Sequence, residues 1–128
     1  MSRAADGFVV ALDIQTGALR WLTSLATSGT DVATTVVADR STVLVGGATS
    51  GAFAGSSNGG LDDAFVARLS ATTGVVEAVE QFGSAAADAA FGSAFDGRSV
   101  FVAGSTGGTL FSTSLGELDA WWAAMTSP

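Results

Sequence analysis

The apolar residues of this chain come in short runs that alternate with polar or small residues, and each run is closed by Gly, Asp, Ser or Thr. Such a pattern predicts strands. Phe8 to Leu12 is the first run, and it meets Thr16-Gly17, where glycine can take the positive φ of a tight turn. Ala18-Leu19-Arg20-Trp21-Leu22 follows as a second strand. The third, Val32 to Ala38, is poor in bulky residues and suits a crowded position. The fourth, Thr42-Val43-Leu44-Val45, is apolar on both faces, as expected of a strand sandwiched between sheets. A Gly/Ser-rich stretch, Gly46 to Leu61, then reads as a surface loop with too little apolar content to order itself strongly.

The same series then starts again. Residues 6 to 53 align without a gap on 63 to 110 at a shift of 57, with fourteen identities over forty-eight positions, among them Asp6/Asp63, Phe8/Phe65, Thr16/Thr73, Gly17/Gly74, Asp31/Asp88, Gly47/Gly104 and Thr49/Thr106. The counterpart strands are Val75 to Val79, Ala89 to Phe95 and Ser99 to Val102, with a second loop at Ala103 to Leu118. Asp119-Ala120-Trp121-Trp122-Ala123-Ala124-Met125 is a partial third copy. The chain therefore divides into units of about 6–62 and 63–118 and a remnant at 119–125, within one repeat domain spanning 1–128. The remnant has a rival reading. Ser114-Leu115-Gly116-Glu117 fits a helix capping box, and Leu115, Leu118, Trp122 and Met125 fall at helical spacing. The repeat favours a strand.

Four strands per unit, one of them made of small residues, fit the blade of a β-propeller, which tapers toward a central axis. The chain reads as all-β, with four-stranded antiparallel blades. Counted from the small-residue strand outward, its nine strands fall as two, four and three. That is about two blades, an incomplete ring, since closure takes at least about four. The residues Asp63-Ala64-Phe65-Val66-Ala67-Arg68-Leu69, Thr73-Gly74, Asp88-Ala89-Ala90, Asp96-Gly97 and Val100-Phe101-Val102-Ala103-Gly104-Ser105-Thr106 resemble the bacterial β-propeller repeat family, the SBBP repeats. Departures are Arg68 where the pattern has Lys, no Gly-Asn ahead of the fourth strand of the first unit, and Trp121-Trp122 in place of Phe-Val. The resemblance implies a propeller-forming repeat of secreted or surface proteins, and it brings no catalytic residues with it.

Composition narrows the chemistry. With no histidine, cysteine, lysine or tyrosine, the chain has no Ser-His-Asp triad, thiolate, Schiff-base lysine, phosphate-loop lysine or His/Cys zinc site. A net charge of −7 would repel a phosphate backbone, so nucleic acid is an unsuitable partner. The apolar runs are too short to span a bilayer, and the start of the chain lacks the apolar core of a signal peptide.

Candidate sites reduce to carboxylates and aromatics. Asp6, Asp31, Asp63, Asp88 and Asp119 recur near strand starts, where a carboxylate commonly accepts backbone N–H bonds. The sharper alternative is a calcium site on Asn58-Gly59-Gly60-Leu61-Asp62-Asp63, which lacks the ligand spacing of an EF-hand. Asp62/Asp63 and Glu77/Glu80 are the close carboxylate pairs that glycoside hydrolysis would need. Neighbours on a strand point to opposite faces, and Glu77 and Glu80 fall on an outer strand, so both pairs read as surface. Trp21, Trp121 and Trp122 suit sugar stacking or a core, the core being the commoner use.

The expectation is a structural or binding scaffold with no catalysis or cofactor of its own, completed by self-association or by further blades of a longer chain. A protein or glycan is its expected ligand, and a glycan-binding or glycan-hydrolysing propeller fragment is the alternative.

Overall fold

In the computed structural model, which describes residues 5–111 and 116–126, the chain is all-β and antiparallel, with no helix among the described residues. Nine strands run in chain order: β1 (Gly7–Leu12), β2 (Leu19–Leu25), β3 (Asp31–Ala38), β4 (Thr42–Thr49), β5 (Asp63–Ser70), β6 (Val76–Phe82), β7 (Asp88–Phe95), β8 (Ser99–Thr106) and β9 (Asp119–Thr126). They form three sheets: a first of β1-β2, a central one of β3-β4-β5-β6 and a third of β7-β8-β9. The division into two, four and three strands is the one the sequence pattern predicts.

The internal repeat extends to backbone detail. The β1–β2 ladder slips its register between Ala11 and Leu12, and the β5–β6 ladder slips between Arg68 and Leu69, 57 residues on. The β3–β4 ladder skips Thr34 and the β7–β8 ladder skips Phe91, again 57 residues apart. A bulge leaves one residue unpaired and sharpens the local twist, so equal bulges give the repeats equal curvature. The sheets are also tied alike. The Asp31 amide donates to the Ala5 carbonyl at 2.7 Å, and the Asp88 amide donates to the Asp62 carbonyl at 2.7 Å.

Burial follows from sequence alternation within this stack. Along β4 and β5, Val43, Val45, Phe65, Ala67 and Leu69 point to one face, and Leu44, Ala64 and Val66 to the other. The first set packs on Trp21 and Leu25 of the first sheet. The second packs on Ala90, Val100, Val102 and Trp121 of the third. Both faces of β4 and β5 are thereby dry, which is why these strands carry near-continuous apolar runs.

The small-residue strands β3 and β7 lie against each other, as their composition anticipates. Thr34 Oγ1 donates to the Ala90 carbonyl at 2.5 Å, and the Thr35 and Ser93 hydroxyls meet at 2.7 Å. At Gly47 and Gly104, equivalent positions on β4 and β8, an added Cβ would overlap the carbonyl oxygens of Val32 and Ala89. The close approach of the inner strands therefore requires glycine there.

Several sequence expectations need correcting. β4 and β8 run on to Thr49 and Thr106, through residues that the Gly-rich composition assigned to loops. β2 and β6 likewise reach Leu25 and Phe82, because an edge strand with one wet face tolerates Thr23, Ser24, Glu80 and Gln81. The segment from Ser50 to Asp62 is anchored: Phe53 is buried with its ring centroid 4.9 Å from that of Phe65. The third copy is strand from Asp119 to Thr126, not helix, with Trp121 inward and Trp122 outward; Ser114 and Leu115 of the capping-box reading lie outside the described residues.

Candidate functional site

Three of the recurrent aspartates start strands and are buried: Asp31, Asp63 and Asp88. Each accepts the backbone N–H of the residue four positions earlier: Thr27 at 2.7 Å, Gly59 at 2.8 Å and Ser84 at 2.6 Å. Where that residue carries a hydroxyl, it also donates to the carboxylate, from Thr27 at 2.9 Å and from Ser84 at 3.0 Å. Thr49, fully buried and in register with both Asp31 and Asp63, adds a 2.6 Å bond to Asp31. At Asp63 the residue four positions earlier is Gly59, which has no hydroxyl; Gln81 Nε2 donates to Oδ2 at 3.0 Å, and Oδ1 has no hydrogen-bond partner among the described residues. Oδ1 lies against Gly83, where a Cβ would collide with it. The arrangement clamps the entry to each strand, which is the bland role expected of these residues.

Asp6 is exposed and Asp119 half-buried. The candidate calcium stretch is occupied by its own hydrogen bonds. Asn58 Oδ1 accepts from the Gly60 amide at 2.8 Å, its Nδ2 donates to the Gly51 carbonyl at 3.1 Å, and Asp62 is exposed. Among the described residues no group of three or more carboxylates stands together in a way that could hold a metal ion.

Gln81 is the functional-looking residue that sequence reasoning missed. It joins the loop to the clamp, accepting from the Phe53 amide at 3.0 Å and donating to the Gly51 carbonyl at 2.9 Å as well as to Asp63. A lone Gln after two glutamates in an edge strand gives no sequence signal for this.

The opposite rim carries the short turns, and there the carboxylates of Asp39 and Asp96 are exposed and that of Asp13 is half-buried. Asp13 sits well placed to accept the Thr16 and Gln15 amides, which hold its carboxyl below the ordinary value of 3.8. The Ser41 and Thr42 amides do the same to Asp39, and the Ser99 and Arg98 amides to Asp96. In the β5–β6 turn the neutral Ser70 takes the place of Asp13, accepting from Thr73 at 3.2 Å.

Of the paired carboxylates, one is buried and three are exposed. Asp63 is buried while Asp62 is exposed, and Glu77 and Glu80 are exposed on the edge strand β6, with Glu77 4.0 Å from Arg68. Trp21 and Trp121 are core residues whose indole N–H groups donate to the carbonyls of Ala71 at 3.0 Å and Ser105 at 2.8 Å. Trp122 is 73% exposed.

Two grooves adjoin exposed apolar residues. On the first sheet Phe8, Val10, Leu12 and Leu22 share one uncovered face. Beside it a groove of about 300 Å³ runs between β1 and β3, lined by Phe8, Val10, Ala33, Thr35 and Val36. On the third sheet Phe101 and Trp122 border a second groove of about 230 Å³. Among the described residues no helix is long and apolar enough to cross a membrane. No protein-family model matches the chain, and no curated protein is similar to it.

Proposed function

We propose that the chain is a β-propeller-type repeat scaffold, structural or binding in role and without catalysis of its own. Its sheets are then the outer half of one blade, a whole blade, and three strands of another. The observation that carries the reading is the stacking of repeat-related sheets through equivalent residues, with the small-residue strands β3 and β7 together at one side of the stack. That is the taper a blade needs toward an axis. The burial of Asp63 in its clamp and the exposure of Asp62, Glu77 and Glu80 support a non-catalytic role, since glycoside cleavage takes two carboxyl groups facing one bond.

A second reading, glycan binding, is favoured by the exposed ring of Trp122, because an open indole face stacks on a sugar ring. Both are tested by incubating the chain with a panel of chromogenic glycosides and with unmodified oligosaccharides under native mass spectrometry. The scaffold reading expects no turnover. Retention of an intact oligosaccharide that Trp122→Ala abolishes would establish the second reading, whereas hydrolysis abolished by Glu77→Gln or Asp62→Asn would overturn the first.

A further inference from the structure

The two uncovered apolar faces are opposite in kind. Each sheet has a front, which meets the preceding sheet, and a back, which meets the following one. In the central sheet the front is Val43, Val45, Phe65, Ala67 and Leu69, and it packs on the back of the first sheet. Its back is Leu44, Ala64 and Val66, and it packs on the front of the third sheet, made of Val100, Val102 and Trp121.

Shifted by one repeat, these residues identify what is left open. Phe8, Val10 and Leu12 are the equivalents of Phe65, Ala67 and Leu69, so the open face of the first sheet is a front with no preceding sheet. Phe101, Ala120 and Trp122 are the equivalents of Leu44, Ala64 and Val66, so the open face of the third sheet is a back with no following sheet. The central residues are at most 1% exposed, while Phe8 is 62% and Trp122 73% exposed. Neither open face carries a carboxylate: the first offers Phe8, Val10, Leu12, Leu22, Arg20 and Ser24, and the third Phe101, Ala103, Ala120, Trp122, Ala124 and Thr126. In a chain with twelve acidic residues, this leaves the two faces free of the repulsion that the net charge imposes elsewhere.

We propose that a second copy of this chain docks the front of its first sheet, through Phe8, Val10, Leu12 and Leu22, on the back of the third sheet at Phe101 and Trp122. The contact continues the two sheet-on-sheet interfaces already present within one chain, and it rests on the scaffold reading above. Because a front meets a back, the contact is heterologous, and copies add head to tail.

Light scattering on the purified chain over a range of concentrations, coupled to size-exclusion chromatography, measures the mass, and two surface variants then dissect it. Leu22→Glu blocks the front and leaves the back; Trp122→Glu blocks the back and leaves the front. The unmodified chain is expected at twice the 12.6 kDa of one chain or a higher multiple. Each variant alone is expected at the single-chain mass, and the two mixed in equal amounts as a one-to-one heterodimer. Circular dichroism and the melting temperature check that both fold, with Phe8→Glu and Phe101→Glu as replacements if either does not. A monomeric unmodified chain, or variants that fail to pair when mixed, would overturn the proposal. Either result leaves the scaffold reading standing, since that reading falls only to glycoside turnover.

Discussion

At the scale of single residues, one side chain type serves two ends of the fold in opposite ways. Asp31, Asp63 and Asp88 are buried acceptors, and the groups they satisfy would otherwise be stranded. Replacing Asp31 by Ala takes the acceptor from the Thr27 amide and leaves the Thr27 and Thr49 hydroxyls without the carboxylate they share, so a loss of about 1–3 kcal/mol in a urea titration is expected. Asp39 and Asp96 are exposed and Asp13 half-buried, and their effect is read through pH. Their folded-state carboxyls lie below the ordinary 3.8, so the ionised forms stabilise the fold above that value, and this contribution is lost as the pH falls through the depressed folded-state values. Asn keeps the turn acceptor but cannot titrate. Melting curves from pH 6 downward should therefore show a steeper acid loss for the unmodified chain than for the D13N/D39N/D96N variant. That aspartates sit near strand starts was legible from their recurrence, but which of them are buried was not. Burial depends on the neighbouring sheet, about which a local run of residues carries no information.

At the scale of elements, alternation and turn residues located the strands, and composition misplaced their ends. Gly47 and Gly104 belong to strands because the backbone of β3 or β7 passes where their side chains would be, and at Gly46 an added Cβ would meet the Thr35 methyl. Gly47→Ala should therefore destabilise the chain by about 1–3 kcal/mol or prevent folding, whereas an alanine on an open strand would pass unnoticed. The turns give a finer comparison. Gly17 and Gly74 hold the same φ, 74° and 75°, in equivalent turns. An added Cβ at Gly17 meets open space, but at Gly74 it meets the Trp21 ring and Thr23 Oγ1. Both alanine variants carry the cost of a left-handed φ, and Gly74→Ala should melt at a clearly lower temperature than Gly17→Ala. The sequence shows the two glycines as equals. Their difference arises because the first sheet covers the second turn, where Thr23 Oγ1 donates to the Gly74 carbonyl at 2.6 Å, while nothing stands in the same place over the first turn.

At the scale of the whole molecule, three stacked sheets make the centre the most protected region. Phe65, fully buried between the first and central sheets, should cost about 3–5 kcal/mol when replaced by Ala. Amide hydrogen exchange should be slowest in β4 and β5 and fastest in β1 and β2, which have one covered face and a single ladder. The partition into two, four and three strands was readable because small residues mark the first strand of the second and third sets. The anchoring of the loop by Phe53 and Gln81 was not, since a single aromatic in a Gly/Ser-rich stretch has no periodicity to betray it. The clamp at the strand entries has a consequence for how such a chain can change over time. Thr49 pairs with Asp63 and Thr106 with Asp119, so both long connectors leave and return at neighbouring ladder positions. A segment pinned side by side at its ends can lengthen at a cost of only about 0.6 kcal/mol per doubling. The two connectors already differ by one residue, 50–62 against 107–118, and the strands they join keep the same pairing. Insertions and deletions on this rim, away from the Phe53 anchor and the Gly59 clamp, are thus absorbed without disturbing the stack, while the sheets stay fixed.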